Sequence, residues 1–328
     1  YHALSAHAGN PALISLSRLR AWGWLNSDAV SSVAEGLTTA HREVLADAAV
    51  RQEYGTCLER ERAWLDDYAL FSVLREKLHH APWWQWPAAL RDHEPSALAE
   101  VRVSLADALE SVRFGQFVFD RQWRELRAYA HEHGVRLFGD MPIFVAHDSA
   151  DVWANRALFR LDASGLPSVV AGVPPDYFSA EGQRWGNPLY DWKAIEADGF
   201  NWWVARLRTE LRRFDLLRVD HFRGFEACWE IPANEATAIH GHWSPVPGER
   251  LFERLREEFG ALPLVAEDLG HITPAVHALR QRFGLPGMRV LQFAFDGGAD
   301  NPYLPHAHTP DSVVYTGTHD NDTTRSWF

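Results

Sequence analysis

Three acidic residues in this sequence, Asp220, Glu267 and Asp320, stand at or just after the end of an apolar stretch. Cleavage of a glycosidic bond with retention needs a carboxylate nucleophile on one side of the anomeric carbon and a carboxylic acid on the other, about 5 to 5.5 Å apart. Arg218 precedes Asp220 by two residues, so both side chains would point the same way from a strand, and the guanidinium would keep the carboxylate ionised. These features predict that Asp220 is a nucleophile.

Glu267 has the longer side chain that suits a general acid and base, and we expect neighbouring carboxylates to raise its pKa. Asp320 supplies a third carboxylate, which together with His319 could grip sugar hydroxyls and stabilise positive charge at an oxocarbenium-like transition state. Taken singly, each acidic residue could equally be the N-cap of a following helix, and Arg218, His221 and His319 could belong to the core or to ion pairs. Their combination favours the chemical interpretation.

The elements that must position these residues alternate between helix and strand from about residue 120 onward. Apolar positions at helical spacing predict helices over 120–133, 201–214, 249–259 and 274–283. Short apolar runs predict strands over 135–139, 216–219, 262–266, 288–295 and 312–316. Four of these strands lead to Asp140, Asp220, Glu267 and Asp320. The alternation is typical of an α/β fold with a parallel sheet and right-handed crossovers.

Two architectures fit this alternation, a (β/α)8 TIM barrel and an open doubly wound sheet. A barrel collects the carboxyl ends of its strands around one mouth, whereas an open sheet spreads them along an edge, so the acidic strand ends favour the barrel. No G-x-G-x-x-G motif follows a strand, which disfavours dinucleotide binding. Only five of eight strands are found. Either the barrel is incomplete in this chain or the barrel hypothesis is wrong.

The first part of the chain has a different composition. Residues 11–133 are rich in Ala, Leu, Arg and Glu, and they predict consecutive helices over 41–49, 51–77 and 97–114. An aromatic loop at 82–87 could serve either packing between helices or sugar binding. We therefore divide the chain into residues 1–119, a loop and a helical subdomain, and residues 120–328, the catalytic barrel portion.

Composition narrows the classes of function. The chain has 328 residues and a formal net charge of −12, and its Lys and Arg residues are scattered, which argues against nucleic acid or an anionic membrane as a partner. Cys57 and Cys228 form neither a disulfide framework nor a thiolate metal motif. No apolar run is long enough to span a membrane. We predict a soluble, cytoplasmic protein without a metal ion or cofactor.

Six longer motifs resemble segments of one known family, in the family's order. They are SAHAGNP at 5–11, GDMPIFV at 139–145, GVPPDYFS at 172–179, RVDHFRG at 218–224, AEDLG at 266–270 and TGTHDNDTT at 316–324. Together they are similar to the signature segments of the amylomaltases, or disproportionating enzymes, a family of 4-α-glucanotransferases. The resemblance covers nearly the whole chain. It departs from the family pattern at His7 and His147, where an aromatic and an acidic residue are usual.

The resemblance implies roles for individual residues. Asp220 would be the nucleophile, Glu267 the acid/base and Asp320 the transition-state stabiliser. The substrate-binding residues would be Tyr1, Arg218, His221 and His319 in the −1 subsite with Asp140 beside them, and Tyr177, Phe178, Gln183, Trp185 and Asn187 in a lid loop on the acceptor side. An aromatic lid that excludes water would favour transfer over hydrolysis. The resemblance also implies that the helical subdomain is inserted before the third barrel strand.

The predicted function is transfer of α-1,4-glucan segments between maltodextrins, with glucose or a maltodextrin as acceptor, through a covalent glycosyl-enzyme intermediate. Three alternatives remain open from the sequence. An α-amylase-type hydrolase would use the same three carboxylates with water as acceptor. A metal-dependent barrel enzyme could bind Mg²⁺ or Zn²⁺ at the same mouth. A sugar-binding protein could keep the fold without the chemistry.

Overall fold

The computed structural model describes residues 4–26, 30–44, 46–176, 179–295 and 297–328. The helices are α1 (Leu16–Ala21), α2 (Val33–Val44), α3 (Ala48–Lys77), α4 (Ala88–Arg91), α5 (Pro95–Ser104), α6 (Ala106–Glu132), α7 (Ala150–Ala154), α8 (Trp192–Ala197), α9 (Asn201–Arg213), α10 (Gly248–Phe259), α11 (Pro274–Arg282) and α12 (Thr324–Trp327). The strands are β1 (Phe138–Met141), β2 (Val169–Val173), β3 (Gln183–Pro188), β4 (Leu216–Val219), β5 (Ala227–Pro232), β6 (His242–Pro245), β7 (Leu264–Ala266), β8 (Gly287–Val290) and β9 (Ser312–Tyr315).

The first of two compact units is mainly helical and comprises Tyr1–Val135, Val145–Val170 and Gly186–Asp191. Its two long helices, α3 and α6, pack against each other. Helix α3 begins where the Asp47 carboxylate accepts the main-chain N–H groups of Ala49 and Val50, which satisfies two donors that the helix itself leaves free. The core of this unit combines aliphatic side chains with buried aromatic rings, which come from Trp24, Tyr54, Phe114, Phe117 and Phe119.

The helices predicted over 97–114 and 120–133 have different bounds in the structure. The chain instead forms α5 up to Ser104 and then one continuous α6 from Ala106 to Glu132. Residues 114–119 are all buried, so this stretch lacks the alternation of apolar and polar faces from which a helix is recognised in sequence. The predicted domain boundary at 119/120 therefore falls inside a single helix. The two-domain division itself stays a prediction.

The loop over residues 5–10 is fastened to this first unit by two buried side chains. The amide of Gln116 binds Gly9 twice, accepting its N–H at 2.8 Å and donating to its carbonyl at 3.0 Å. The Asp151 carboxylate accepts the N–H of Ala6 at 2.7 Å. Gly9 has no room for a side chain, because a Cβ there would lie 2.0 Å from the Phe119 ring.

The second unit comprises Arg136–Phe144, Ala171–Trp185 and Trp192–Phe328, and it carries five parallel strands. β1, β4 and β7 form one parallel sheet, and β8 pairs with β9 in parallel. The Ala266 N–H donates to the Pro286 carbonyl at 2.8 Å, which joins the end of β7 to the start of β8. The strands therefore follow one another in chain order, with α9, α10 and α11 in the connections between them.

The five predicted strands exist, and β4 has the predicted bounds; β7 and β9 are shorter by one or two residues, and β1 and β8 differ more. β1 begins at Phe138 instead of residue 135, so Asp140 lies within the strand. β8 ends at Val290, and Leu291–Phe295 continues as a 3-10 helix. Both errors lie at strand ends. There the apolar run in the sequence extends beyond the residues that pair with a neighbouring strand, so the pattern alone misplaces the end of the strand.

A second sheet was not expected from the alternating pattern. It has the strand order β3-β2-β5-β6, and β5 and β6 pair antiparallel, with Trp229 opposite Trp243. The residues Gln183–Pro188, predicted as a lid loop, form its strand β3.

Two further findings concern the chain as a whole. Among the residues that the structure describes, no helix combines the length and apolarity that crossing a membrane requires. Cys57 and Cys228 are both buried, and neither is part of a disulfide.

Candidate active site

Arg218 lies at the centre of an acidic cluster in the second unit. Its side chain is 11% exposed, and its terminal nitrogens contact two carboxylates, with Nη1 2.7 Å from Asp140 Oδ2 and Nη2 2.6 Å from Asp220 Oδ1. Asp140 is the register partner of Arg218 across β1 and β4, which explains why they meet. Asp320 Oδ2 lies 4.0 Å from the same Nη2. One guanidinium thus holds three carboxylates of the predicted site together.

Asp220 is subject to opposing electrostatic effects. Desolvation raises the pKa of its carboxyl, Arg218 lowers it, and the charges of Asp140 and Asp320 raise it again, so the pKa lies above its usual value. Arg218 acts on the pKa of Asp220 in the predicted direction, but burial and the neighbouring carboxylates outweigh it. The side chain is nevertheless 40% exposed and fixed by a short bond to the guanidinium, so its free oxygen is open to a ligand.

Glu267 directly follows β7 and is buried. Its Oε2 accepts the main-chain N–H of His221 at 2.8 Å, and its Oε1 accepts that of Leu269 at 2.9 Å. Burial first, and the charge of Asp220 second, raise the pKa of Glu267 to about 7, against the opposing effects of Leu269, Arg218 and His221. A carboxyl with this pKa can both donate and accept a proton near neutral pH.

Asp220 and Glu267 leave neighbouring strand ends side by side. They directly follow Val219 and Ala266, which are register partners across β4 and β7, and the Glu267 N–H donates to the Val219 carbonyl at 3.0 Å. Because adjacent strands lie about 4.8 Å apart, this register places the two residues next to each other at one edge of the sheet, where the charge of Asp220 acts on Glu267.

His319 and Asp320 lie on an exposed turn after β9. Thr318 secures the turn, because its N–H and hydroxyl both donate to Asn321 Oδ1 at 2.9 Å. His319 Nε2 is 3.4 Å from Asp320 Oδ1. The turn borders a cavity of about 310 Å³, which is lined by Phe138, Gly139, Asp140, Arg218, Met288, Tyr315, Gly317, Thr318 and His319.

Trp185 and His221 form the aromatic side of the site. The Trp185 ring meets His221 edge-on with centroids 4.8 Å apart, and its Nε1 donates to Gln183 Oε1 at 3.1 Å. Trp185 is 39% exposed. The predicted sugar contacts Gln183, Trp185 and His221 thus lie together in the second unit, with one face of the indole accessible.

In the part of the chain that the structure describes, no contact joins the other predicted substrate-binding residues to this cluster. Asn187 belongs to the first unit, where its amide donates to the Val145 carbonyl at 2.9 Å. Tyr1, Tyr177 and Phe178 lie outside the described residues.

Asp268 is a residue that sequence reasoning left without a role. Its side chain is fully buried, its Oδ1 accepts the Met288 N–H at 2.7 Å, and Arg280 and Arg289 approach it to 3.4 and 3.5 Å. A Cβ on Gly287 would lie 2.4 Å from its Oδ2. Asp268, which follows Glu267 in the chain, therefore links the end of β7 to β8. No local signal distinguishes it from its acidic neighbour.

The two histidines that depart from the family pattern make structural contacts. His147 Nε2 lies 2.7 Å from the Gly165 carbonyl, and its ring stacks on Trp84 with centroids 3.9 Å apart. His7 Nε2 lies 3.7 Å from Asp151 Oδ1. Over the described ranges, no group of three or more His, Cys, Asp and Glu residues is arranged to hold a metal ion.

A sequence model of the family described as 4-alpha-glucanotransferase matches residues 1–328. The chain belongs to the 4-α-glucanotransferase family. It is 50% identical to the 4-alpha-glucanotransferase of Thermus thermophilus over 345 residues, an alignment that covers all of this chain and 69% of that protein. It is 42% identical to the chloroplastic/amyloplastic 4-alpha-glucanotransferase of Solanum tuberosum over 346 residues, with 60% of that protein covered.

A solved structure agrees with the assignment of this chain to the family. The amylomaltase from Streptococcus agalactiae, solved in complex with acarbose, superposes with a TM-score of 0.93 at 34% identity, and the match covers all of this chain and 70% of that one. The resemblance to the amylomaltase family is therefore confirmed.

Proposed function

We propose that this chain carries the catalytic centre of a retaining 4-α-glucanotransferase that moves α-1,4-glucan segments between maltodextrins. The observation that carries the proposal is the pair of Asp220 and Glu267 at registered strand ends, one carboxylate bound by Arg218 and the other buried with a pKa of about 7. Family membership favours transfer over the α-amylase-type hydrolysis that the same carboxylates could perform.

In the proposed first step, Asp220 attacks the anomeric carbon of the donor and forms a glycosyl ester. Glu267 delivers its proton to the departing glycosidic oxygen, so the released glucan leaves as a neutral alcohol. In the second step, the ionised Glu267 takes the proton from an acceptor hydroxyl, which attacks the ester and restores Asp220. Every proton that leaves Glu267 thus returns to it in each cycle.

The remaining cluster would stabilise charge and orient the sugar. Asp320 would face the positive charge that develops at the oxocarbenium-like transition state, while Arg218 keeps Asp140 and Asp220 in place. His221, His319, Gln183 and Trp185 would contact sugar hydroxyls and ring faces, as would Tyr1, Tyr177, Phe178 and Asn187. The exposed indole of Trp185, which contacts His221 next to Asp220 in the chain, suits a sugar as acceptor better than water, and this supports transfer as the outcome.

Incubation with maltotriose tests this function. We expect a ladder of longer maltodextrins together with glucose and maltose, and the ladder should persist in EDTA. Asp220→Asn should abolish formation of the covalent intermediate, and Glu267→Gln should form it slowly and only from donors with good leaving groups. Products that are exclusively shorter than maltotriose would identify a hydrolase instead.

We further propose that the five parallel strands belong to a (β/α)8 barrel, with the helical unit inserted before the third barrel strand. The parallel strands that follow one another in chain order support this, as does the superposition on an amylomaltase with a TM-score of 0.93. A cytoplasmic location and the absence of nucleic-acid and membrane partners also remain proposals, supported by two cysteines outside any disulfide and a net charge of −12.

A further inference from the structure

His221 has a main-chain conformation that is rare for a residue with a side chain. Its φ of 50° and ψ of 49° place it in the left-handed region, between Asp220 and the 3-10 turn Phe222–Phe225. Such a conformation is strained for most residues, although Asn, Asp and His are several-fold enriched among those that adopt it. It persists only where the surroundings hold it, and it is often found at functional sites.

This conformation turns two successive N–H groups toward the same residue. The His221 N–H donates to Glu267 Oε2 at 2.8 Å, and the Phe222 N–H donates to the Glu267 carbonyl at 3.1 Å. The Phe222 bond thus fixes the main chain of Glu267, while the His221 bond places a donor on its carboxyl, which favours the ionised form. With the Leu269 N–H on Oε1, both oxygens of the carboxyl have a fixed donor.

The imidazole itself carries no charge at neutral pH. Burial first, and Arg223 second, lower the pKa of His221 to about 3. Its ring is held by the edge of Trp185 and by Gly224, where a Cβ would lie 3.0 Å from His221 Cδ2 and 2.8 Å from Ile143 Cδ1. The effect of His221 on Glu267 therefore comes from its main chain.

We propose that His221 is a positioning residue whose left-handed main chain aims its N–H at Glu267 Oε2, fixing the acid/base carboxyl and favouring its ionised form. This rests on the proposed function of Glu267. Without this donor, burial would act on the carboxyl with less opposition, and the residue would give up its proton only at higher pH.

The other groups near Glu267 stay constant in the test. Asp220 and Arg218 face it from β4, Tyr303 lies within electrostatic reach, and Asp268 is its chain neighbour. Substitutions at position 221 change none of these groups. A shift in the pH dependence can therefore be assigned to the main chain at residue 221.

The experiment compares variants that all remove the imidazole but differ in their tolerance of the left-handed region. His221→Gly and His221→Asn accept it, whereas His221→Val, which is β-branched, does not. The pH profile of kcat/KM for transfer from maltotriose reports the proton on Glu267 in its alkaline limb. In His221→Gly and His221→Asn we expect this limb to lie at the same pH as in the wild type, whatever the rate of each variant. In His221→Val we expect it to lie about one to two pH units higher.

Circular dichroism first establishes that each variant is folded. If Val does not fold, His221→Ala replaces it, since Ala also disfavours the left-handed region, and a smaller upward shift is then expected relative to Gly. Coincident limbs in the Gly variant and the folded Val or Ala variant would overturn the inference while leaving the proposed function intact. Failure of the wild type to make longer maltodextrins would instead overturn the proposed function, and this inference with it.

Discussion

The raised pKa of Glu267 predicts that this residue destabilises the folded protein at alkaline pH. Burial and Asp220 lift the pKa from its usual 4.5 to about 7 in the folded state. A carboxyl with a higher pKa in the folded than in the unfolded state binds its proton more tightly when folded. Its contribution to stability is therefore fully present below pH 4.5 and is lost as the pH rises to about 7.

The magnitude follows from the size of the shift. A difference of about 2.5 pKa units, at about 1.4 kcal/mol per unit, makes ionised Glu267 cost about 3 kcal/mol at pH 8 and almost nothing at pH 4.5. Glu267→Gln removes the titration. Its amide can accept only one of the two N–H bonds, which costs about 1 kcal/mol at either pH. The change in unfolding free energy caused by the substitution should thus be about 3 kcal/mol more favourable at pH 8 than at pH 4.5.

Urea unfolding of wild type and variant at both pH values measures this difference. Glu257→Gln, the same chemical change at an exposed position of α10, is the matched control and should show little dependence on pH. The reasoning would be refuted if Glu267→Gln had the same effect at pH 4.5 and pH 8, because Glu267 would then not be held protonated by the fold.

Substitutions at three other positions have expected outcomes. Arg218→Gln removes a 2.6 Å bond to the partly exposed Asp220. The acid limb of the pH profile of kcat/KM should therefore move to higher pH by about one unit. Arg218→Lys keeps the charge, so it should lower kcat and leave that limb in place. Asp268→Asn removes the buried counter-charge of Arg280. The free energy of unfolding measured in urea should fall by about 2 to 4 kcal/mol. A fall of less than about 1 kcal/mol would contradict the proposed link between β7 and β8. Trp185→Ala should lower the ratio of transfer to hydrolysis products from maltotriose several-fold, and an unchanged ratio would remove the indole from the acceptor side.

The sequence by itself determined the order of the catalytic strands and the residues at their ends. Strands β4, β7 and β9 and helices α9, α10 and α11 were predicted to within a few residues, because short apolar runs and helical periodicity are local properties of the chain. The motifs around Asp220, Glu267 and Asp320 also identified the family without any structure.

Only the tertiary structure decided how these residues act on one another. The bond of Arg218 to Asp140, the burial of Asp268 and the turn of His221 toward Glu267 all depend on strand register. So does the second sheet, in which β2 and β3 join β5 and β6. These contacts join residues tens of positions apart, and the burial that sets the pKa of Glu267 exists only once several strands have packed. Local sequence carries the propensity of each element, whereas desolvation and charge pairing are properties of the assembled fold.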